Sequence, residues 1–262
     1  MLTVQNYVRP QTLEEAWELN QKKKNRIIGG MLWLRLRNDT INTAIDLSAL
    51  GLDTIEETED AFSIGAMVTL RQIECHWGLN HYTGGAASAA VRDIVGVQFR
   101  NMATVGGSIW GRFGFSDVLT VFLALDTYVE LYHGGVVTLE EFSNMPHDND
   151  ILVRLIVKKT PIKVAYLTMR NQRTDFPVLA CAVSCINGES RAVIGARPAK
   201  AVIVRDEAAY LQDGITDAGA KAFAEYTAKQ IRTGSNVRGS AEYRTHLVRV
   251  LTERAAKKLG GL

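Results

Sequence analysis

The 262-residue chain holds three cysteines, Cys75, Cys181 and Cys185, with no CxxC spacing among them. That number excludes a four-thiolate iron–sulfur or zinc centre inside the chain and fits buried thiols in a reducing compartment. The five histidines, His76, His81, His133, His147 and His246, are scattered, and neither a metal ligand set nor a catalytic dyad is read from them. The signatures GxGxxG, GxxxxGK[ST], HExxH and GxSxG are all missing. A Rossmann site, a P-loop, a zincin and a nucleophile elbow therefore lack support. No apolar run approaches the ~20 residues of a membrane span. The chain opens without a basic-then-apolar leader, and its net charge of +2 makes no case for a nucleic-acid surface. A cytoplasmic protein is expected, with neither membrane nor nucleic acid as a partner.

What is present is patterned apolar sequence, 47% hydrophobic against 22% charged, the balance of a globular protein. In TLEEAWELNQKKK, Thr12 and Glu15 stand at capping-box spacing and Leu13, Ala16 and Trp17 share a face, which predicts a helix. The basic run 22–26 reads as its solvated end. Arg26-Ile27-Ile28 is a short β-like run ending at Gly29–Gly30, and MLWLRLRN after it has helical character. AFSIGAM, YVELYH and ILVRLIVK read as strands; TLRQIECHW, residues 84–96 and TLEEF read as helical. Beyond residue 160 the pattern changes. KVAYLTMR, FPVLACAVSCI and SRAVIGA suggest an antiparallel sheet, the middle strand too apolar for a wet face. Helices are expected over 216–231 and 240–259, covering one face of that sheet. The expected fold class is α+β, with domains 1–159 and 160–262 meeting at Lys158-Lys159-Thr160-Pro161.

Two glycine pairs stand out: Gly29–Gly30 after a β-like run, and Gly106–Gly107 in TVGGS. A glycine pair serves backbone that takes φ > 0 or must approach another group closely. TVGGS offers consecutive N–H groups beside a hydroxyl, an arrangement able to receive phosphate oxygens. Asp117 would supply an acceptor for sugar hydroxyls in an otherwise apolar stretch. It would equally suit the N-terminus of the VLTVFLAL helix.

Ile28-Gly29-Gly30-Met31-Leu32-Trp33 stands where one known family reads A-G-G-T-D-L. Asn101, Ala103, Thr104, Gly106, Gly107, Ser116, Asp117 and Leu123-Ala124-Leu125 match that family's second loop. IGAMVTLRQIE, RNQRTDFPVLACAVS and SAEYRTHLVRVLTERA extend the match over essentially the whole chain. The chain thus resembles the FAD-binding medium subunit of the molybdenum hydroxylases, the group of xanthine dehydrogenase and carbon monoxide dehydrogenase. The resemblance implies a two-lobed FAD-binding domain (PCMH-type) followed by a smaller domain of antiparallel sheet and helices. It implies FAD between the two lobes of the N-terminal domain. Ile27, Ile28, Gly29, Gly30, Met31, Leu32, Trp33 and Leu34, with Ala103, Thr104, Gly106, Gly107 and Ser108, would carry its pyrophosphate. Ser116 and Asp117 would face its hydroxyls, and Ile94 and Leu152 its rings. Thr168 falls where several relatives carry lysine.

Molybdopterin and [2Fe–2S] clusters would belong to a large and a small partner subunit. Electrons would pass through the flavin to NAD⁺ or another acceptor, and no catalytic or metal-binding residue is implied in this chain. Met31, Trp33 and Ser108 depart from the family's loops, and Trp110 and Phe113 add rings that either stack on the cofactor or fill core. Two alternatives remain open: a flavin-free scaffolding subunit, and a stand-alone FAD-dependent reductase of related fold.

Overall fold

The computed structural model describes residues 1–262, which form two compact units interleaved along the chain. The first holds Met1–Gln72, Val97–Gly111 and Thr127–Val157; the second holds Ile73–Gly96, Arg112–Asp126 and Lys158–Leu262.

The first unit opens with three parallel strands, β1 (Thr3–Val8), β2 (Arg26–Ile28) and β3 (Thr40–Asp46), in the order β1-β3-β2. Parallel neighbours need crossover connections, and α1 (Leu13–Asn20) lies in the link from β1 to β2. Thr12 caps α1 as expected, its hydroxyl accepting the Glu15 N–H at 3.1 Å. Ala16 is buried with Ile45, Leu47 and Ile151, and Leu13 and Trp17 pack against them. The link from β2 to β3 carries Gly29–Gly30; of the expected helix after it only a 3-10 turn, Leu34–Leu36, forms. A second sheet contains β4 (Ile55–Glu57), β5 (Ala61–Gly65), β6 (Thr127–Leu131), β7 (Gly135–Thr138) and β8 (Leu152–Lys158), ordered β4-β5-β8-β6-β7. Short helices α5 (Val97–Arg100), α6 (Val105–Trp110) and α8 (Leu139–Asn144) complete this unit, and α2 (Leu70–Cys75) runs across its boundary.

The second unit is built on an antiparallel sheet of β9 (Ile162–Arg170), β10 (Pro177–Ile186), β11 (Glu189–Gly195) and β12 (Val202–Arg205), ordered β12-β11-β10-β9. The long helices α9 (Asp217–Gln230) and α10 (Ala241–Gly260) cover one face. There Leu167 and Met169 of β9, Cys181 and Val183 of β10 and Ile194 of β11 share a core with Phe223, Val248 and Leu251. The helix pair covers one face as expected, and α4 (Ala86–Val91) packs on β9 while α7 (Asp117–Leu123) packs on β10 and β11. Every residue of α7 is buried, as is β10 from Pro177 to Ser184, so a two-sided cover explains the continuous apolar run. Close approach is secured by small residues: a Cβ on Gly195 would overlap the Thr120 hydroxyl. The segments bearing α3 (Trp77–Tyr82), α4 and α7 belong by packing to the second unit.

No helix is long and apolar enough to cross a membrane. Among the thiols, Cys75 is exposed, while Cys181 is fully buried beside the Thr252 hydroxyl of α10. Burial pushes the Cys181 thiol up to about 12, which leaves almost no thiolate near neutral pH. Native protein treated with iodoacetamide should therefore label at Cys75 and become alkylated at Cys181 only in denaturant, as read by peptide mass spectrometry. Rapid native labelling of Cys181 would contradict this packing.

Candidate functional site: a glycine-built turn in the first unit

β2 ends at Ile28, and the chain turns there through Gly29 and Gly30. The outer carboxyl ends of parallel strands are where open sheets place ligands. Neither glycine has a positive φ; the left-handed residue of the turn is Met31, at φ 56°. The pair serves close approach instead. A Cβ on Gly30 would overlap the Met102 carbonyl, and one on Gly29 would lie 2.6 Å from the Thr104 hydroxyl. The two glycine loops are therefore in direct contact. The Arg35 N–H bonds the Met31 carbonyl at 3.0 Å and closes the turn. The N–H groups of Gly30, Met31 and Leu32 are taken by no acceptor of the chain. Trp33 is set edge-on to Phe99, ring centres 6.2 Å apart. Leu34 begins the 3-10 turn.

The second loop is organised differently from the sequence expectation. Thr104 caps α6, its hydroxyl accepting the Gly107 N–H at 3.1 Å. The Val105 N–H bonds the Val68 carbonyl and the Gly106 N–H bonds the Ala66 carbonyl, each at 2.8 Å. The Ser108 N–H and hydroxyl both go to the Thr104 carbonyl, at 3.1 and 2.8 Å. The expected row of open amides in TVGGS is thus consumed by the fold. A Cβ on Gly106 would lie 2.6 Å from the Ala66 carbonyl, so this glycine too is required by crowding. Ala103 and Leu152 are buried in the same unit. Trp110, half-buried, lies against Phe142, ring centres 5.7 Å apart.

Ile94, Ser116, Asp117 and Thr168 lie in the second unit. Ser116 caps α7, accepting the Leu119 N–H at 3.0 Å, so the capping role weighed for this stretch falls to Ser116. Asp117 receives partners from its own chain: Arg170 at 2.8 Å and the Tyr166 hydroxyl. Side-chain exposure is only 4% for Asp117 and 6% for Arg170, so the pair is a buried one. Burial raises the Asp117 carboxyl above its ordinary range, opposed by the Arg170 charge and the Tyr166 hydroxyl. Burial and the adjoining carboxylate push the Tyr166 phenol well up. The Thr168 hydroxyl is spent on the Leu179 carbonyl at 3.1 Å. Tyr166 and Arg170 were not singled out from sequence, although strand alternation places them with Thr168 on the face opposite Leu167 and Met169.

Residues 2–161 match the family model for the FAD binding domain in molybdopterin dehydrogenase. The chain belongs to that family. Residues 164–259 match a second model, the CO dehydrogenase flavoprotein C-terminal domain. Along its length the chain is 26% identical to the nicotine 6-hydroxylase medium subunit of Paenarthrobacter nicotinovorans, over 97% of this chain and 96% of that one. It is 25% identical to the glyceraldehyde dehydrogenase medium chain of Sulfolobus acidocaldarius, over 97% and 98%. The reconstituted CO dehydrogenase from Oligotropha carboxidovorans shares the fold, with a TM-score of 0.86 at 20% identity over 98% of this chain and 97% of that one. In this flavoprotein family member, the open backbone donors lie in the first glycine turn and the buried ion pair holds α7 to β9.

Removing one member of a buried pair strands the other charge, which typically costs about 3–5 kcal/mol. Asp117→Ala should therefore lower the stability of the cofactor-free protein by about that amount, measured by urea unfolding. A variant as stable as the parent would show that Arg170 does not depend on Asp117.

Proposed function

We propose that the chain is the FAD-carrying electron-transfer subunit of a heteromeric molybdenum hydroxylase. The observation that carries this reading is the row of unengaged N–H groups at Gly30, Met31 and Leu32, fixed at the end of β2 in a chain of this family. Successive backbone N–H groups around a left-handed residue form an anion-binding concavity, which suits the pyrophosphate of a dinucleotide. Such donors need no side-chain charge, so the apolar Met31 and Trp33 leave the phosphate contacts intact. Gly29 and Gly30 let the turn lie on Met102 and Thr104, and this support holds the donors in place before a ligand arrives. Ile28 and Leu32, both buried, root the two ends of the turn in the first unit.

When bound, FAD supplies redox chemistry that joins single-electron donors to two-electron acceptors. In this reading the donor is a small subunit with [2Fe–2S] clusters, placed beside a large molybdopterin-binding subunit. The acceptor is NAD⁺ or another oxidant. The medium chains of nicotine 6-hydroxylase and glyceraldehyde dehydrogenase support the subunit assignment. The chain's own task is to bind, orient and shield, and no general acid or base is required of it.

Two substitutions separate the roles of the glycine pairs. Gly30→Ala, whose Cβ meets a backbone carbonyl, should weaken FAD binding by about tenfold or more. Gly107→Ala, whose Cβ lies 3.1 Å from a hydroxyl that can shift, should keep the flavin. The purified parent should be yellow, and bound flavin absorbance reads both variants, with circular dichroism as the check on folding. A colourless parent would sink the reading, and flavin loss in Gly107→Ala alone would move the phosphate to the second loop.

A further inference from the structure

β1 is an edge strand, with β3 on one side and no strand of the chain on the other. Its register fixes which groups it leaves open. Thr3 stands opposite Thr40, and its N–H bonds the Asp39 carbonyl at 3.0 Å. Alternate residues of a strand turn their backbone groups to the same neighbour, so Thr3, Gln5 and Tyr7 bond β3. Val4, Asn6 and Val8 then point their N–H and carbonyl groups outward, where no residue of the chain bonds them. The strand is also wet on both faces: Thr3 to Tyr7 are all exposed, Val4 at 39% and Tyr7 at 57%.

This open edge is held ready for a partner. The Tyr7 hydroxyl donates to the Asp46 carboxylate, and the Asn6 side-chain amide donates to the Asn42 carbonyl at 3.1 Å. Both contacts tie β1 to β3 and keep its outward groups in line before anything docks.

An unpaired strand edge is a template for another strand, and proteins blunt such edges with charge or by keeping them short. The other edges of this molecule are blunted. β2 carries Arg26, β4 carries Glu56 and Glu57, β9 carries Lys163 and Arg170, and β12 carries Arg205. β7 is uncharged but has only four residues. β1 has six residues, Thr3-Val4-Gln5-Asn6-Tyr7-Val8, and no charge. Two copies of β4 would repel through their glutamates; two copies of β1 meet no such barrier. A two-fold axis that pairs a strand with itself keeps each residue on its own face. Val4, Asn6 and Val8 of one copy would therefore meet the same outward-bonding residues of the other.

We propose that β1 pairs antiparallel with β1 of a second copy of this chain, joining the two three-stranded sheets into one continuous sheet. The turn read as the flavin site leaves β2, on the far side of β3, so it stays open in the dimer. The proposal goes beyond the flavin reading and does not depend on it. A single strand pair is smaller than a standard protein interface, so the dimer is a weak one, dissociating in about the micromolar range.

Sedimentation velocity of the full chain from about 1 to about 200 μM should show monomer giving way to dimer. Gln5 is exposed and lies at the middle of β1, close to its own copy across the axis. Gln5→Lys and Gln5→Glu should each weaken the dimer about tenfold, because like charges then face one another. An equimolar mixture of the two should associate to within about threefold of the parent. Val4→Pro removes an outward N–H, spares the β3 ladder, and should leave a monomer with unchanged circular dichroism. A chain that is monomeric throughout overturns the proposal. So does a dimer that survives both Gln5 variants, which would place the contact elsewhere, or a mixture no tighter than either variant alone. If the chain associates only with a different subunit and Val4→Pro breaks that association, the edge belongs to that subunit and the second copy is excluded.

Discussion

The first unit depends on backbone meeting backbone without a side chain between. Gly30 lies on the Met102 carbonyl and Gly106 on the Ala66 carbonyl, and no other residue fits either place. From these two approaches the rest of the site follows. Ala66 and Val68 can accept the N–H groups of Gly106 and Val105 only because the chain comes that near. The anchored second loop then supports the first, which keeps its own donors open. One glycine pair is the platform, and the other carries the amides that no acceptor of the chain takes. Crowded interiors allow this because close-packed atoms fix position far more tightly than polar contacts on a wet surface.

The second unit relies on a different device. Its central strands are covered on both faces, so charge has almost no place inside. Asp117 is nevertheless there at the first turn of α7, where the helix end favours an anion. It is tolerated because Arg170 and Tyr166 of β9 supply opposite charge and a hydrogen bond. A carboxylate so enclosed ties helix to sheet, and replacing both partners by apolar groups is the kind of change that buried pairs often survive. Arg244 solves a related problem with neutral acceptors, its charge solvated by loop carbonyls.

Much of this architecture could be read from residue patterns. The capped α1 beginning after Thr12, the two long C-terminal helices, the three successive antiparallel strands and the change of character near residue 160 all follow local periodicity and capping chemistry. Short elements were less legible. The apolar run MLWLRLRN gives one 3-10 turn because packing against Phe99, not helical propensity, decides where Trp33 goes. The second face of the β9–β12 sheet was invisible for a similar reason, since the helices covering it lie far away in sequence.

By itself, the sequence determined the element types of its long periodic segments, the family, and the two places where only glycine would do. Those are properties of adjacent residues, and adjacency is what a sequence records. Tertiary structure alone decided which glycine pair keeps open donors, because hydrogen-bond capacity is used up by distant carbonyls such as those of Ala66 and Val68. It likewise decided that Asp117 answers to Arg170 across 53 residues rather than standing open, since a carboxylate's role is fixed by whatever reaches it first within about 3 Å.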